Sequence, residues 1–492
     1  MASAALDEDE ILDVRNPRTG ESDYRLPVSN AREIAAKAAR LRNNQKAWAA
    51  MPLEARIGVM ARWLEAVRSR AAEIGEKDAI DTGGCHTSYL QGFITMAQIG
   101  GWLEDAPKAF AAAQWQGPSL TMPTVELEAQ LVPYPLVGVI SPWNAPLMLA
   151  MLDAIPALFA GSAVLLKPSE VTPRVIETLF ETVRAVPELA AVFDHVTGAG
   201  DVGQAVIAEA DLICFTGSVP TGRKVAVACA EKLIPCFLEL GGKDPAIVTE
   251  TADLDRAATA VLRGAVYATG QVCYSVERVY VHESVHDAFV AKLVEEAKAV
   301  RLNTDDPRAG HIGPFTFAPQ AAIVEGHLAD AVAKGAKVLT GGQVEEIGGG
   351  LYLRPTVLTN VDHSMAIMRD ETFRPCIPVM AYKDIEEAIA LANDTAFGLT
   401  ASVIAGTAEE AKAIGRRVNA GGIFLQDTFL TFAKMRTFGS NSFGCSGLGG
   451  ARIGPESIMR FVRRKSLMTQ TGRVADIQDD HHLGQKTSGP GA

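Results

Sequence analysis

The chain has 492 residues, 48% of them hydrophobic and 21% charged, with a formal net charge of -12. A chain this long exceeds one ordinary hydrophobic core, so two large domains are expected, and its balance of apolar and charged residues excludes wholesale disorder. The negative charge, with no basic stripe interleaved with aromatics, argues against nucleic acid as a partner.

Residues 1–10 are acidic where a secretory leader would be basic and then apolar. No stretch of about 18 residues runs free of charge or punctuation, so no membrane partner is expected and a cytoplasmic location is. Seven cysteines (Cys85, Cys214, Cys229, Cys236, Cys273, Cys376 and Cys445) are scattered, with no C-x-x-C pair and no histidine at zinc spacing. Neither disulfides nor a metal site is expected, and by residue type each cysteine is first a small buried hydrophobe.

In chain order, residues 1–115 read mostly as helix, with Asn30 and Glu33 spaced as a capping box and Ile57, Met60, Leu64 and Val67 on one face. No chemistry is legible there. Residues 125–131 alternate apolar and polar up to Pro133, the pattern of an extended ribbon with one covered face. From Leu136, apolar β-rich runs at 137–140, 163–166, 192–196, 212–215 and 236–238 alternate with helical stretches, as in a parallel sheet covered on both sides. A second alternation has strands at 246–248 and 278–281 and helices at 254–269 and 285–300. Residues 458–468 read as one more strand, and 476–492, polar with Gly and Pro, as a loose tail.

Three turns leave strands of the first alternation. Gly198-Ala199-Gly200-Asp201-Val202-Gly203 has the context of a dinucleotide fingerprint but lacks the acidic residue about 20 positions on; read alone, it is equally an ordinary glycine turn. Phe215-Thr216-Gly217-Ser218, with Gly222, can present backbone N–H groups to a pyrophosphate. Lys167-Pro168-Ser169-Glu170 offers a cation and a ribose-hydroxyl acceptor, or by residue type a solvated surface turn.

Together these segments resemble the aldehyde dehydrogenase superfamily from about Asn30 to Lys465. Pro142-Trp143-Asn144 resembles the family's oxyanion segment, Glu239-Leu240-Gly241-Gly242 its general-base segment, and Gly270-Gln271-Val272-Cys273 its nucleophile segment. Glu371-Thr372-Phe373, followed by Pro375, resembles the segment that holds the nicotinamide end. The resemblance implies a Cys273 thiolate attacking an aldehyde, Asn144 and the Cys273 N–H stabilising the oxyanion, and Glu239 activating water against the resulting thioester. By residue type alone, Asn144 between two prolines is a turn residue and Glu239 a strand-end surface acid.

The implied fold is α/β: a Rossmann-like cofactor domain (residues 1–118 and 134–241), a catalytic α/β domain (242–456), a small β oligomerisation element (119–133 and 457–472) and a tail (473–492). The implied cofactor is NAD, with NADP allowed, against Ser141, Trp143, Lys167, Ser169 and Glu170 on one side. Gly200, Gly203, Phe215, Thr216, Gly217 and Ser218 form the other side, and Leu240, Gly241, Glu371 and Phe373 the nicotinamide end. Glu170 favours NAD because a carboxylate repels the extra phosphate of NADP, while Lys167 would tolerate it.

By resemblance the aldehyde channel is lined by Leu149, Leu152, Tyr267, Val272, Tyr274 and the segment 429–432, none of them charged. An apolar or aromatic aldehyde is expected, from a homodimer or homotetramer. Three positions depart from the family: Ala268 stands where asparagine is usual, Arg374 where glycine is common, and the late stretch Phe438-Gly439-Ser440-Asn441-Ser442-Phe443-Gly444-Cys445-Ser446-Gly447 lacks its lysine. Arg374 is expected to add bulk and charge beside the cofactor. Two alternatives stay open: transfer of the acyl group to coenzyme A, in relatives that lack the base glutamate, and a non-catalytic binding relative.

Overall fold

The computed structural model describes residues 10–84, 86–474 and 476–478, so Cys85 and most of the acidic start and polar tail lie outside the described residues. The fold opens on an antiparallel strand pair, Ile11–Arg15 with Ser22–Pro27, followed by two long helices, Ala31–Ala50 and Leu53–Thr82. The Asn30 side chain accepts from the Glu33 N–H at 2.9 Å and so starts the first. Ile34, Ala38, Leu41 and Trp48 form its buried stripe, while Met60, Trp63, Val67 and Ile74 form that of the second. Both stripes join one core with the first sheet.

That sheet has six strands in the order Gly447–Leu448, Cys236–Glu239, Leu212–Thr216, Leu136–Ile140, Ala163–Lys167 and Phe193–His195. All neighbours are parallel except Gly447–Leu448, which runs antiparallel and sets Gly447 opposite Glu239. The strand order reverses between Leu136–Ile140 and Leu212–Thr216, and the crevice beyond their carboxyl ends is where open α/β sheets take ligands.

The second sheet orders seven strands as Lys337–Thr340, Thr356–Thr359, Cys376–Tyr382, Val276–His282, Asp244–Val248, Thr400–Ile404 and Gly422–Leu425. Ile247 and Tyr280 enter the core on one face, while Ala246, Val248, Val279 and Val281 enter a separate core on the other. Both faces are dry, which is why these strands read as continuous apolar runs.

The ribbon Val125–Pro133 pairs antiparallel with Val462–Gln470 and with short Gln116–Pro118. The strand expected over 458–468 therefore starts late. Pro455–Phe461 is a 3-10 helix entered through Gly454 at φ +99°, and its threefold period buries Ile458 and Phe461 together. The helix expected over 254–269 likewise ends at Val266, because Ala268 and Thr269 turn left-handed.

Candidate active site

Several turns meet at the crevice of the first sheet. Beyond Ile140, the Ser141 N–H donates to the Lys167 carbonyl at 3.0 Å, while the buried Ser141 hydroxyl has no hydrogen-bond partner. Lys167, almost fully buried, donates to Glu170 Oε2 at 2.8 Å, and Ser169 Oγ accepts from the Val171 N–H at 3.2 Å. Phe215 and Thr216 end their strand, and Gly217 donates to the Glu239 carbonyl at 3.1 Å. Ser218 precedes helix Val219–Lys232 with its hydroxyl turned to Thr221 Oγ1 at 3.1 Å, so no side chain caps the first-turn N–H groups. Gly200 opens helix Gly200–Glu209, and Gly203 lies buried in its first turn. An uncapped helix start, an orphaned hydroxyl and a paired Lys–Glu at one sheet edge fit a dinucleotide: N–H groups for the pyrophosphate and Glu170 for a ribose.

Trp143 lies at 5.8 Å from Phe317, stacked, and 5.4 Å from Phe373, edge-on. Phe373 takes a positive φ of 57° because the Glu277 carboxylate grips its N–H and that of Thr372, each at 2.7 Å. Lys243 neutralises Glu277 at 2.7 Å in full burial and also donates to Thr372 Oγ1 at 3.1 Å. The adjoining Glu371 accepts from the Gly242 N–H at 2.9 Å. A Cβ on Gly241 would come within 2.4 Å of the Glu371 carboxylate, so a larger residue there would displace that side chain from its place. Burial, then the nearby Glu277 charge, push the Glu371 carboxyl up to about 8. Leu240 donates its N–H to Ser446 O at 2.8 Å, tying the late stretch to the same strand end.

Cys273 follows a tight left-handed turn. Gly270, at φ +70°, lies against Arg374–Pro375 and Ala265 so closely that a Cβ would meet backbone atoms at 2.6 to 2.8 Å. The Asn144 amide donates to the Gln271 carbonyl at 2.8 Å, and the Gln271 side chain is clamped by Thr316. Burial pushes the Cys273 thiol well above its ordinary value, and the carboxyls of Glu371, Asp244 and Glu239 add to it, against Arg452. Burial also raises Glu239, countered by Arg452 and by the Ser442 hydroxyl, which donates to Glu239 Oε2 at 2.8 Å.

The sequence model of the aldehyde dehydrogenase family matches residues 5–467. The chain belongs to the aldehyde dehydrogenase family. It is an NAD(P)-dependent aldehyde dehydrogenase, and NAD or NADP fits its crevice. It is 35% identical to a Mycolicibacterium smegmatis protein assigned as an NADP(+) succinate-semialdehyde dehydrogenase, over 94% of this chain and 90% of the relative. A solved Anabaena variabilis protein assigned as an aldehyde dehydrogenase superposes with a TM-score of 0.92 at 45% identity, over 95% of this chain and 99% of that one. Betaine aldehyde dehydrogenase from Staphylococcus aureus, solved with NAD+, gives 0.88 at 26% identity, over 95% and 92%.

In this aldehyde dehydrogenase, one cavity of about 620 Å³ brings together Cys273, Asn144, Leu149, Leu152, Tyr267, Val272 and Tyr274. Glu239 and the crevice residues lie outside its lining. Phe432 lines it too, but Phe429 does not: it sits behind Tyr267 and Tyr274, with ring centroids at 3.7 and 5.0 Å. Sequence reasoning assigned no chemistry to the first 115 residues, yet helix Gln91–Ala113 forms a whole wall through Gln91, Ile94, Gln98, Trp102 and Asp105. Gln91, Gln98 and Asp105 recur every seven residues, the one signal that could have marked that face. Nor is the lining free of charge, because Arg436, paired with Asp105 at 2.8 Å, and Arg452 both reach it.

Arg374 is also corrected. Its side chain is fully buried, stacks 3.8 Å over the Phe315 ring and donates to the Pro314 carbonyl at 3.2 Å, so it presents no charge at the crevice surface. Its Nε and Nη2 have no partner, and burial lowers it to about 9.

Among the described residues no cluster suits a metal ion, and no helix is long and apolar enough to cross a membrane.

Proposed function

We propose that the chain oxidises an apolar or aromatic aldehyde to its acid with NAD, through a covalent bond to Cys273. The observation that carries the reading is the cavity itself, whose mostly apolar and aromatic lining includes both Cys273 and Asn144. Asn144 already spends one N–H on Gln271, which fixes the amide plane and leaves its other N–H for the aldehyde oxygen. The Cys273 backbone N–H supplies the second donor. Sulfur attack on the carbonyl carbon forms a thiohemiacetal. When bound, nicotinamide supplies the hydride acceptor of the oxidation.

Glu239 then takes a proton from the water that attacks the resulting thioester, and the acid leaves as the thiol is restored. One water oxygen is gained and one hydride lost per turnover. Ser442 holds the Glu239 carboxylate in place from the late stretch that lacks the family's lysine. Because Glu239 is present, hydrolysis is favoured over transfer to coenzyme A.

Glu170 supports NAD over NADP, since its ion pair with Lys167 already occupies the cation that would meet an added phosphate. Arg436 is likewise engaged by Asp105 and Glu104, which leaves no free cation at that part of the wall for a carboxylate-bearing aldehyde. Turnover of benzaldehyde and succinate semialdehyde with each cofactor tests this. A kcat/KM at least about tenfold higher for benzaldehyde and for NAD is expected, and preference for the charged aldehyde overturns the substrate assignment. The free edge of Val462–Gln470 supports a homodimer or homotetramer, which light scattering checks.

A further inference from the structure

A buried charge cluster lies beneath the cavity. Helix Pro146–Ala160, which begins two residues after Asn144, carries Asp153 near its middle, in full burial. Arg452 Nη2 donates to Asp153 Oδ2 at 2.7 Å and to the Leu149 carbonyl at 2.6 Å. Arg460 Nη2 donates to the other oxygen, Oδ1, at 2.9 Å. Two guanidiniums thus share one carboxylate, and one positive charge in the cluster has no carboxylate of its own. All three side chains are less than one tenth exposed. Such an excess is costly in a low-dielectric interior unless another anion answers it.

The two cations are not equivalent. Arg460 sits over the rings of Phe237 and Phe461, at 5.0 and 5.1 Å, with its charge spread on aromatic faces. Arg452 lines the cavity with Cys273, and its buried Nε has no hydrogen-bond partner. It follows four residues after Leu448, whose strand runs antiparallel along the one that ends at Glu239. Neither the nucleophilic nor the basic role proposed above uses it.

We infer that Arg452, anchored by Asp153, is a positioning residue that stabilises the anionic forms of Cys273 and Glu239. This rests on the reading of those two groups given above. The groups facing Cys273 are the carboxyls of Glu371, Asp244 and Glu239, all opposing a thiolate, and Arg452 favouring it. Facing Glu239 are Arg452, Arg460 and the Ser442 hydroxyl, which favour the carboxylate, with Asp153 opposing it and Lys434 nearby on the late segment. Burial works against the charge of Arg452 itself, but Asp153 and Glu239 outweigh it and hold the guanidinium above its ordinary value. The cation is therefore kept charged, the Leu149 carbonyl holds it in place as well, and Asp153 moderates its field.

Removing either arm of this ion pair should act in opposite directions, which loss of packing would not do. Alkylation of Cys273 by iodoacetamide is followed against pH by peptide mass, without aldehyde or cofactor, in the parent, Arg452→Met, Arg452→Lys and Asp153→Asn. In Arg452→Met the midpoint should rise by about half a pH unit or more, a roughly threefold smaller thiolate fraction at neutral pH. In Asp153→Asn it should fall, and Arg452→Lys should stay nearer the parent than Arg452→Met does. A midpoint in Arg452→Met at or below the parent's, or in Asp153→Asn at or above it, overturns the inference; Asp153→Asn alone decides if Arg452→Met does not fold. Because no turnover is measured, failure here leaves the nucleophilic role of Cys273 standing.

Discussion

The side-chain amide of Asn144 donates to the backbone carbonyl of Gln271, two residues before Cys273, across 2.8 Å. This single bond ties the start of helix Pro146–Ala160 in one sheet layer to the nucleophile turn of the other. It orients the amide whose remaining N–H is proposed to serve the oxyanion.

Asn144→Ala removes that donor while touching little of the core, because Asn144 is only partly buried. Turnover should fall about a hundred- to a thousandfold, with the thermal midpoint near the parent's. Steady-state kinetics beside a melting curve checks both, and turnover at the parent rate refutes the role.

Ala268 stands at φ 45° and ψ 39°, a left-handed conformation in which a Cβ crowds its own backbone. Asparagine or glycine tolerates it better. Ala268→Gly should stabilise the fold by about 0.5 to 1 kcal/mol, raising the thermal midpoint by about 1–2 °C. A lower midpoint contradicts the strain.

Arg374 is a fully buried cation with no carboxylate partner and two orphaned nitrogens. Replacing it with an apolar side chain of similar length removes an uncompensated charge, so Arg374→Met should be neutral or stabilising by about 1–3 kcal/mol in chemical denaturation. Loss of more than about 1 kcal/mol would show that the stack on Phe315 outweighs the desolvation.

Much of this site was legible in the residues, and the remainder was not for definite reasons. The segments around Asn144, Glu239, Cys273 and Glu371 carry the family's motifs in residue type and order, Asn144 and Cys273 do line one cavity, and the parallel strands show as short apolar runs. Arg374 was misjudged because sequence gives a position beside a pocket but not the direction of a side chain. Arg452 and helix Gln91–Ala113 escaped notice because they meet Cys273 only through tertiary packing across more than 150 residues of chain. Residues 458–461 read as strand because Ile458 and Phe461 are apolar and near a β-run, whereas a period of three decides the local structure.

Stability should also respond to Glu371. Its folded value, about 8, lies above that of an unfolded carboxyl, so the native chain keeps a proton that the unfolded chain sheds. Its contribution is fully present below the ordinary carboxyl range and is lost as pH rises through about 8. The thermal midpoint of the parent relative to Glu371→Gln should therefore fall between pH 5 and 8, values spanning that window. A difference that is flat or rises with pH would contradict the buried protonated form.

The central claim is a covalent bond between Cys273 and the aldehyde carbon. Glu239→Gln, mixed with NAD and benzaldehyde and quenched in acid, should accumulate the acyl thioester, seen by peptide mass as a benzoyl group on Cys273 and on no other cysteine. An unmodified Cys273 under conditions where the parent turns over, or unchanged acid production by Cys273→Ser, would contradict the account.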